Sequence, residues 1–445
     1  MDVSPVTQIP LWGICLLAFY VACTLGANDV ANSMGTSVGS KAITLRQAIL
    51  IAGILEFSGA VLFGGGVSET LATGVVKPEE FIRSPELFQI GMVAVLLAAG
   101  IWLQIATRQG LPVASSHAVV GAIAGFSAVA AGFGAVAWKT VGLISGAWII
   151  TPVISGAIAA LFYSAIKRWI LDHPHPARQL QEWTPWLSFS LIAIFGTLVL
   201  PQISQPLQQW IEAQFHLNFP AHDLTIAIGG LAVAGLTWFS WQPIYGGESV
   251  LGSRESGKMG ENHAPKTEIT RFDNTIETKL ARFQVLSACF VAFAHGSNDV
   301  GNTVAPLAVV AFIRNTGTVP IGEFHIPLWI LVVGGAGITT GLAIWGKNVI
   351  ATVGENIIPL APSAGFCAEL ATATTVLLAS KIGLPVSTSH ALVGGVVGIG
   401  LVQGLESIQF GTVRVIAIAW LITVPTAAGL AAGGFLLLRS LFGIG

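Results

Sequence analysis

The chain has 445 residues, 53% of them hydrophobic and only 9% charged, whereas a soluble domain carries about 25% charged residues. Its net charge of -2 and the lack of any basic tract give no footing for a nucleic-acid partner. Continuous apolar runs argue against a β-barrel, whose strands alternate with period two, and leave an all-α polytopic membrane protein in the lipid bilayer.

Apolar segments fall near 11–40, 47–72, 87–107, 111–131, 138–166, 186–200, 222–242, 283–313, 326–348, 363–380, 384–403 and 411–442, about 12 membrane segments if each crosses once. The opening MDVSPVTQIP lacks the basic region of a signal peptide, so the first segment is expected to stay as a span. That segment and the eighth each contain Asn and Asp flanked by Gly and are expected to be broken or kinked there. The last is long enough to tilt, or to kink at Pro425. The 52 glycines suit close helix approach and cavity-lining breaks in a membrane. Cys15, Cys23, Cys289 and Cys367 all lie in apolar runs without metal-ligand spacing and read as packing residues.

Two connections are polar. Residues 167–185 carry Lys167, Arg168 and Arg178; residues 246–282 carry six Lys/Arg and six Asp/Glu and read as a flexible linker. Residues 201–221 have no Lys or Arg. The positive-inside rule puts 167–185 and 246–282 in the cytoplasm and 201–221 outside. Lys41 and Arg46 favour a cytoplasmic first connection, so the N- and C-termini are expected outside a plasma (inner) membrane. The expected organisation is a first transmembrane repeat (1–166), connecting spans (167–245), a polar cytoplasmic linker (246–282) and a second transmembrane repeat (283–445).

The repeat is visible in two motif pairs. Gly26-Ala27-Asn28-Asp29-Val30-Ala31-Asn32 matches 296–302 at five of seven positions, and 110–121 matches 383–394 at nine of twelve. The offsets are 270 and 273 residues, so the halves are collinear duplicates. Counting spans makes the first and eighth antiparallel, which predicts two inverted-topology repeats with broken helices.

An ionisable residue at such depth is costly and points to function. Asp29 and Asp299 offer carboxylates; Asn28, Asn32, Asn298 and Asn302 offer amide oxygens, with Asn32 and Asn302 on the face of their Asp. This donor set suits Na⁺, or a proton carried by the Asp; the bland alternative is helix capping. After Gly-Leu-Pro-Val come hydroxyl clusters, Ser115-Ser116 and Ser387-Thr388-Ser389, with Pro112 and Pro385 expected in a first helical turn. Free N–H groups and hydroxyls at a helix start suit a tetrahedral oxyanion without Arg or Lys. Packing and bonds to backbone carbonyls are the alternative.

His117 and His390 follow these clusters. Adjacent helical residues point about 100° apart, so Ser116 and His117 make a poor nucleophile–base pair and an intramembrane hydrolase is disfavoured. Structural hydrogen bonding is the preferred role for both histidines, proton coupling the lesser one. Glu56 and Glu369 are lone acids in apolar segments, able to bind a cation, protonate or pair with a buried donor. A polar site between two related halves reads as a transporter, not an enzyme; a passive anion channel is the alternative.

At these residues the sequence resembles the inorganic phosphate transporter family, the sodium- or proton-coupled phosphate permeases that include the mammalian retroviral-receptor phosphate carriers. The family signature Gly-Ala-Asn-Asp-Val-Ala-Asn stands at 26–32, with a variant at 296–302; its Gly-Leu-Pro-Val-Ser-Thr-Thr-His element looks like 383–390, with a looser copy at 110–117. The resemblance covers essentially the whole chain. It implies two inverted repeats, each with a re-entrant hairpin around 108–116 and 381–389. It also implies import of inorganic phosphate held at Ser115, Ser116, Ser387, Thr388 and Ser389. Na⁺ (or H⁺) would be carried at the Asn-Asp motifs, with Na⁺ at Asp29 and Asp299, and no other cofactor. Glu56 and Glu369 match acidic positions the family needs for transport. Some members move sulfate, which stays as the alternative cargo, and a homodimer is left open. Ala114 stands opposite Ser387, and Gly301 replaces the signature Ala, so the halves would contribute unequally.

Overall fold

A computed structural model describes residues 10–109, 113–215, 222–242, 269–353 and 360–444. Every helix and strand assignment longer than an isolated bridge among them is helical, as a backbone that must satisfy its own hydrogen bonds in lipid requires. In chain order the α-helices are α1 (Leu11–Gly39), α2 (Leu45–Phe63), α3 (Gly65–Glu69), α4 (Pro85–Arg108), α5 (Ser115–Ala131), α6 (Trp138–Ile166), α7 (Pro176–Leu198), α8 (Leu200–Phe215), α9 (Asp223–Trp241), α10 (Ile269–Asp299), α11 (Gly301–Thr316), α12 (Leu328–Val353), α13 (Pro362–Lys381), α14 (Thr388–Gln403) and α15 (Phe410–Leu441). Local chemistry fixes some boundaries: α2 starts on a capping box in which Thr44 accepts from Gln47 N and Gln47 Oε1 accepts from Thr44 N.

Among the described residues, eight helical stretches, including α1, α4, α13 and α15, are long and apolar enough to cross a membrane; α5 and α14 are shorter apolar helices. Large apolar side chains such as Leu143, Ile149, Val153 and Leu161 on α6 and Leu421 on α15 are exposed, while Asp29, Glu56, His295, Asp299 and Glu369 are buried. An apolar outside around a polar inside is the arrangement lipid selects.

The chain divides into two compact units. One joins residues 1–164 with 284–445; the other is 165–283. Within the second, Trp169 stacks on Trp183 at 4.9 Å. Arg282 lies 4.8 Å over the Phe239 ring and donates to its carbonyl at 2.7 Å.

Several expected boundaries differ. The first motif does not break its segment: α1 runs through Asn28-Asp29 without interruption. The second motif sits where α10 passes into α11 at Val300, whose φ of -58° and ψ of -32° remain helical. The segment 47–72 stops as a helix at Phe63 and continues as α3 and one π-helical turn, Thr70–Gly74. α15 continues past Pro425. Residues 201–215 of the expected external connection are helical, as part of α8. The linker expected over 246–282 is helical from Ile269 onward, and its earlier residues lie outside the described ones.

Glycine explains the uninterrupted α1. Its motif glycine supplies contact area rather than a break. A Cβ on Gly26 would lie 2.1 Å from Ile338 O, and one on Gly296 would lie 2.0 Å from Glu56 O. Gly341 and Gly59 meet Cys23 O and Phe293 O in the same way, at 1.9 and 2.1 Å. These four contacts form two reciprocal pairs. Gly26 and Cys23 stand 270 residues before Gly296 and Phe293, and Glu56 and Gly59 stand 282 before Ile338 and Gly341. Each half therefore packs its motif helix against the second helix of the other half, backbone on backbone. Gly296→Ala forces that approach apart and is expected to cost about 1–3 kcal/mol. Gly142→Ala, where a Cβ meets nothing within 4 Å, should not destabilise. Thermal unfolding of the detergent-solubilised variants measures the difference.

Candidate functional site

The site begins with a polar stripe on α1. Asn28, Asp29, Asn32, Ser33, Thr36 and Ser37 are all buried, and spacings of three and four place most of them on one helical face. Asn28 Nδ2 donates to Thr107 Oγ1 on α4 at 2.9 Å. Asn32 Nδ2 donates to Asp29 Oδ1 at 3.2 Å. Ser33 Oγ donates to Glu56 Oε1 on α2 at 2.9 Å. Thr36 and Ser37 hydroxyls donate to Glu369 Oε1 on α13, the latter at 2.7 Å, and Ser287 donates to Glu369 Oε2 at 2.7 Å.

The second motif meets the first through a histidine. His295 Nε2 lies 2.9 Å from Asp299 Oδ2 and 3.8 Å from Asp29 Oδ2, and His295 Nδ1 lies 3.2 Å from Glu56 Oε1. All four side chains are almost wholly buried. One ligand atom from each of Asp29, His295 and Asp299 falls within 4.8 Å of the other two. Three carboxylates thus surround one imidazole. No Lys or Arg is among the described buried residues. Were all three carboxylates ionised, even a protonated His295 would leave excess negative charge, and a buried uncompensated carboxylate is costly. The donor set is oxygen-rich and suits a hard monovalent cation or a proton.

The hydroxyl clusters close the site from the other side. Thr388 Oγ1 donates to Asp299 Oδ2 at 3.0 Å, and Asn302 Nδ2 donates to Ser115 Oγ at 3.2 Å. Asn298 reaches the second tip: in the amide orientation that satisfies both groups it accepts from Ser380 Oγ at 3.0 Å and donates to Val386 O at 2.9 Å. The hydroxyls of Ser116 and the Oδ1 of Asn302 are buried with no hydrogen-bond partner. Such groups are unfavourable when empty-handed and favour a polar occupant.

Ser387 also has a structural task. It is the N-cap of α14, accepting from His390 N at 3.2 Å, and it pairs with Ser389 Oγ at 2.8 Å. Pro385 therefore precedes the helix instead of lying in its first turn. Pro112 lies outside the described residues. At the first tip Ala114 holds the N-cap position without a side-chain bond, so the hydroxyl missing from the first half is a missing cap.

The structure places Asp29, Asp299, Glu56, Asn32, Asn302, Ser115 and Thr388 around one centre. Glu369 stands in a separate hydroxyl cage of Thr36, Ser37 and Ser287. Sequence reasoning missed His295 and these three hydroxyls. The signal for His295 was one position upstream of the compared motif: the first copy has Leu25 there, the second His295. A buried titratable residue that breaks an otherwise matching repeat marks a difference in chemistry between the halves.

Three comparisons bear on this arrangement. The model of the phosphate transporter family matches residues 25–431. A putative phosphate permease of Haemophilus influenzae is 37% identical over 432 residues, covering 97% of each chain. The inorganic phosphate transporter 2-1, chloroplastic, of Arabidopsis thaliana is 39% identical over 436 residues, covering 96% of this chain and 71% of its own. Among solved structures, the sodium-dependent phosphate transporter superposes with a TM-score of 0.81 at 35% identity, over 97% of this chain and 99% of the other. The acid-lined centre, the duplicated motifs around it and near full-length similarity lead to one conclusion: the chain belongs to the phosphate transporter family.

Proposed function

We propose that this protein is a secondary transporter that imports inorganic phosphate with Na⁺. The observation that carries the reading is the buried centre in which Asp29, Asp299 and Glu56 converge on His295 with no buried Lys or Arg among the described residues. An anion cannot enter beside three carboxylates unless cations enter too. Cation charge offsets both the carboxylates and the phosphate, so the fully loaded carrier is the form that crosses most readily. The hydroxyls of Ser115, Ser116, Thr388 and Ser389 supply donors for phosphate oxygens, with no fixed positive charge to hold the anion after the cations leave. Glu369, in its hydroxyl cage, serves as a further coupling acid.

The reciprocal glycine contacts support two repeats related by a pseudo-two-fold axis; the repeats are taken as inverted from the span count between their motifs, with alternating access arising from one group of helices moving against another around the centre. The membrane is taken to be the plasma (inner) membrane, with both termini outside. The name of the 35%-identical solved transporter favours Na⁺ over H⁺.

Uptake of labelled phosphate into proteoliposomes tests this. An inward Na⁺ gradient is expected to drive accumulation above equilibrium, undiminished by excess sulfate. Accumulation on an inward H⁺ gradient alone would replace the ion. Loss to sulfate would replace the cargo. Flux without accumulation would make the protein a channel.

A further inference from the structure

Both histidines behind the hydroxyl tips take part in one four-ring cluster. His117, on α5, donates through Nδ1 to the backbone carbonyl of Trp420 on α15 at 3.3 Å. His390, on α14, donates through Nδ1 to the carbonyl of Trp148 on α6 at 2.8 Å. A carbonyl only accepts, so each Nδ1 carries the proton. The His117 ring lies against the Trp148 indole, centroids 3.7 Å apart, and the His390 ring against Trp420 at 3.6 Å. The two imidazoles are 4.6 Å apart.

The pattern is reciprocal. Each imidazole is held by the backbone of one tryptophan and the ring of the other. The partners follow the repeat: His117 and His390 are 273 residues apart, Trp148 and Trp420 are 272 apart. Below the rings the same helices approach at glycine. A Cβ on Gly121 would lie 2.6 Å from Val424 O and one on Gly125 2.3 Å from Ala428 O. Gly394 and Gly398 meet Pro152 O and Gly156 O likewise, at 2.2 and 2.1 Å. Each tip helix of one half is therefore seated on the late helix of the other half, and the two seats are joined through the rings.

Ser115-Ser116 and Thr388-Ser389 immediately precede these histidines in sequence. We infer that His117 and His390 are positioning residues: one shared joint fixes the separation of the two hydroxyl tips, so that anion affinity is set by both tips together. This rests on the reading above that the tips hold an oxyanion. The joint transmits strain both ways. Loss of either His–carbonyl bond frees a tryptophan that also bears on the other histidine. Neither Nε2 has a hydrogen-bond partner, so the rings reach their protein neighbours through Nδ1 and their faces.

The test uses the full chain in proteoliposomes and in detergent. His117→Ala is expected to raise the KM for phosphate about tenfold, the worth of one buried hydrogen bond, with Vmax and the Na⁺ dependence little changed. His117→Ala with His390→Ala should be no worse than the poorer single variant. His117→Asn, which keeps a donor near the place of Nδ1, should recover most of the affinity; His117→Gln, whose amide reaches toward Nε2, should not. Backbone amide exchange, read without phosphate, should speed up in both 113–121 and 386–394 when only His117 is changed. Faster exchange confined to 113–121, recovery by Gln instead of Asn, or an unchanged KM would each overturn the joint. Should the wild type neither bind nor accumulate phosphate, the transport reading falls, and the exchange measurement still decides whether the tips are coupled.

Discussion

Asp299→Asn is expected to lower Na⁺-driven phosphate uptake about 100-fold, the cost of removing one partner from a buried charge interaction, without unfolding the protein. The amide fills the same volume. Its oxygen still accepts from Thr388, which donates to Asp299 Oδ2 at 3.0 Å, and His295 keeps Glu56 at 3.2 Å. What is lost is one negative charge in the centre where the cation is to be held. Asp29→Asn should act in the same direction, because Asp29 and Asp299 share the same imidazole. The two substitutions combined should fall well short of additivity, since they disable one site and not two. The measurements are initial uptake rates at several Na⁺ concentrations and the thermal unfolding of each variant. Wild-type uptake by a well-folded double Asn variant would remove both residues from coupling.

The second large effect concerns folding. His295→Leu leaves Asp29, Glu56 and Asp299 buried without their common partner. Breaking a buried pair in this way costs about 3–5 kcal/mol, a large share of a stability that is normally about 5–15 kcal/mol. Little folded protein should reach the membrane. The repeat itself indicates the repair. At the equivalent positions of the other half stand Leu25 for His295 and Ile338 for Glu56, and both are fully buried. The protein already builds the apolar version of this corner once. His295→Leu with Glu56→Ile, which removes one of the three stranded carboxylates, is therefore expected to regain part of the folded yield, measured by size-exclusion chromatography of solubilised membranes, while remaining inactive in uptake. A His295→Leu variant as stable as wild type would show that the imidazole does not balance the carboxylates.

Much of this was legible in the residues. Continuous apolar segments gave the helical membrane class, because few charges and long runs leave no other solvent-compatible backbone. The matched motifs pointed to Asp29, Asp299, Ser115 and Thr388; the fold joins the two Asp through His295, Thr388 to Asp299 and Ser115 to Asn302 of the same motif. Other parts depend on partners distant in sequence. Gly26 reads as a break when only its neighbours are considered; Ile338, 312 residues away, makes it a contact. Ser387 shows in sequence only as one hydroxyl of a cluster; that His390 N uses it as a cap is visible only in the fold. The hydroxyls around Glu369 come from α1 and α10 and carry no local pattern. His295 lies just outside the strongest match, where comparing the two halves for likeness passes over the one position whose importance is its difference.

The cross-packing of the halves also orders events during synthesis. Asp29 and Glu56 leave the ribosome well before His295, which is 239 residues beyond Glu56. At about 5–20 residues per second the first half waits on the order of tens of seconds in or near the bilayer with its acids unmatched. In that interval its helices α1 and α2 lack the backbones of α10 and α12 on which Gly26 and Gly59 will rest. The nascent first half must then be sheltered by water, by the insertion machinery or by protonation of its carboxylates. Its maturation is a single late step, triggered when the duplicate emerges, and a truncated chain ending before α10 should be a target for membrane quality control.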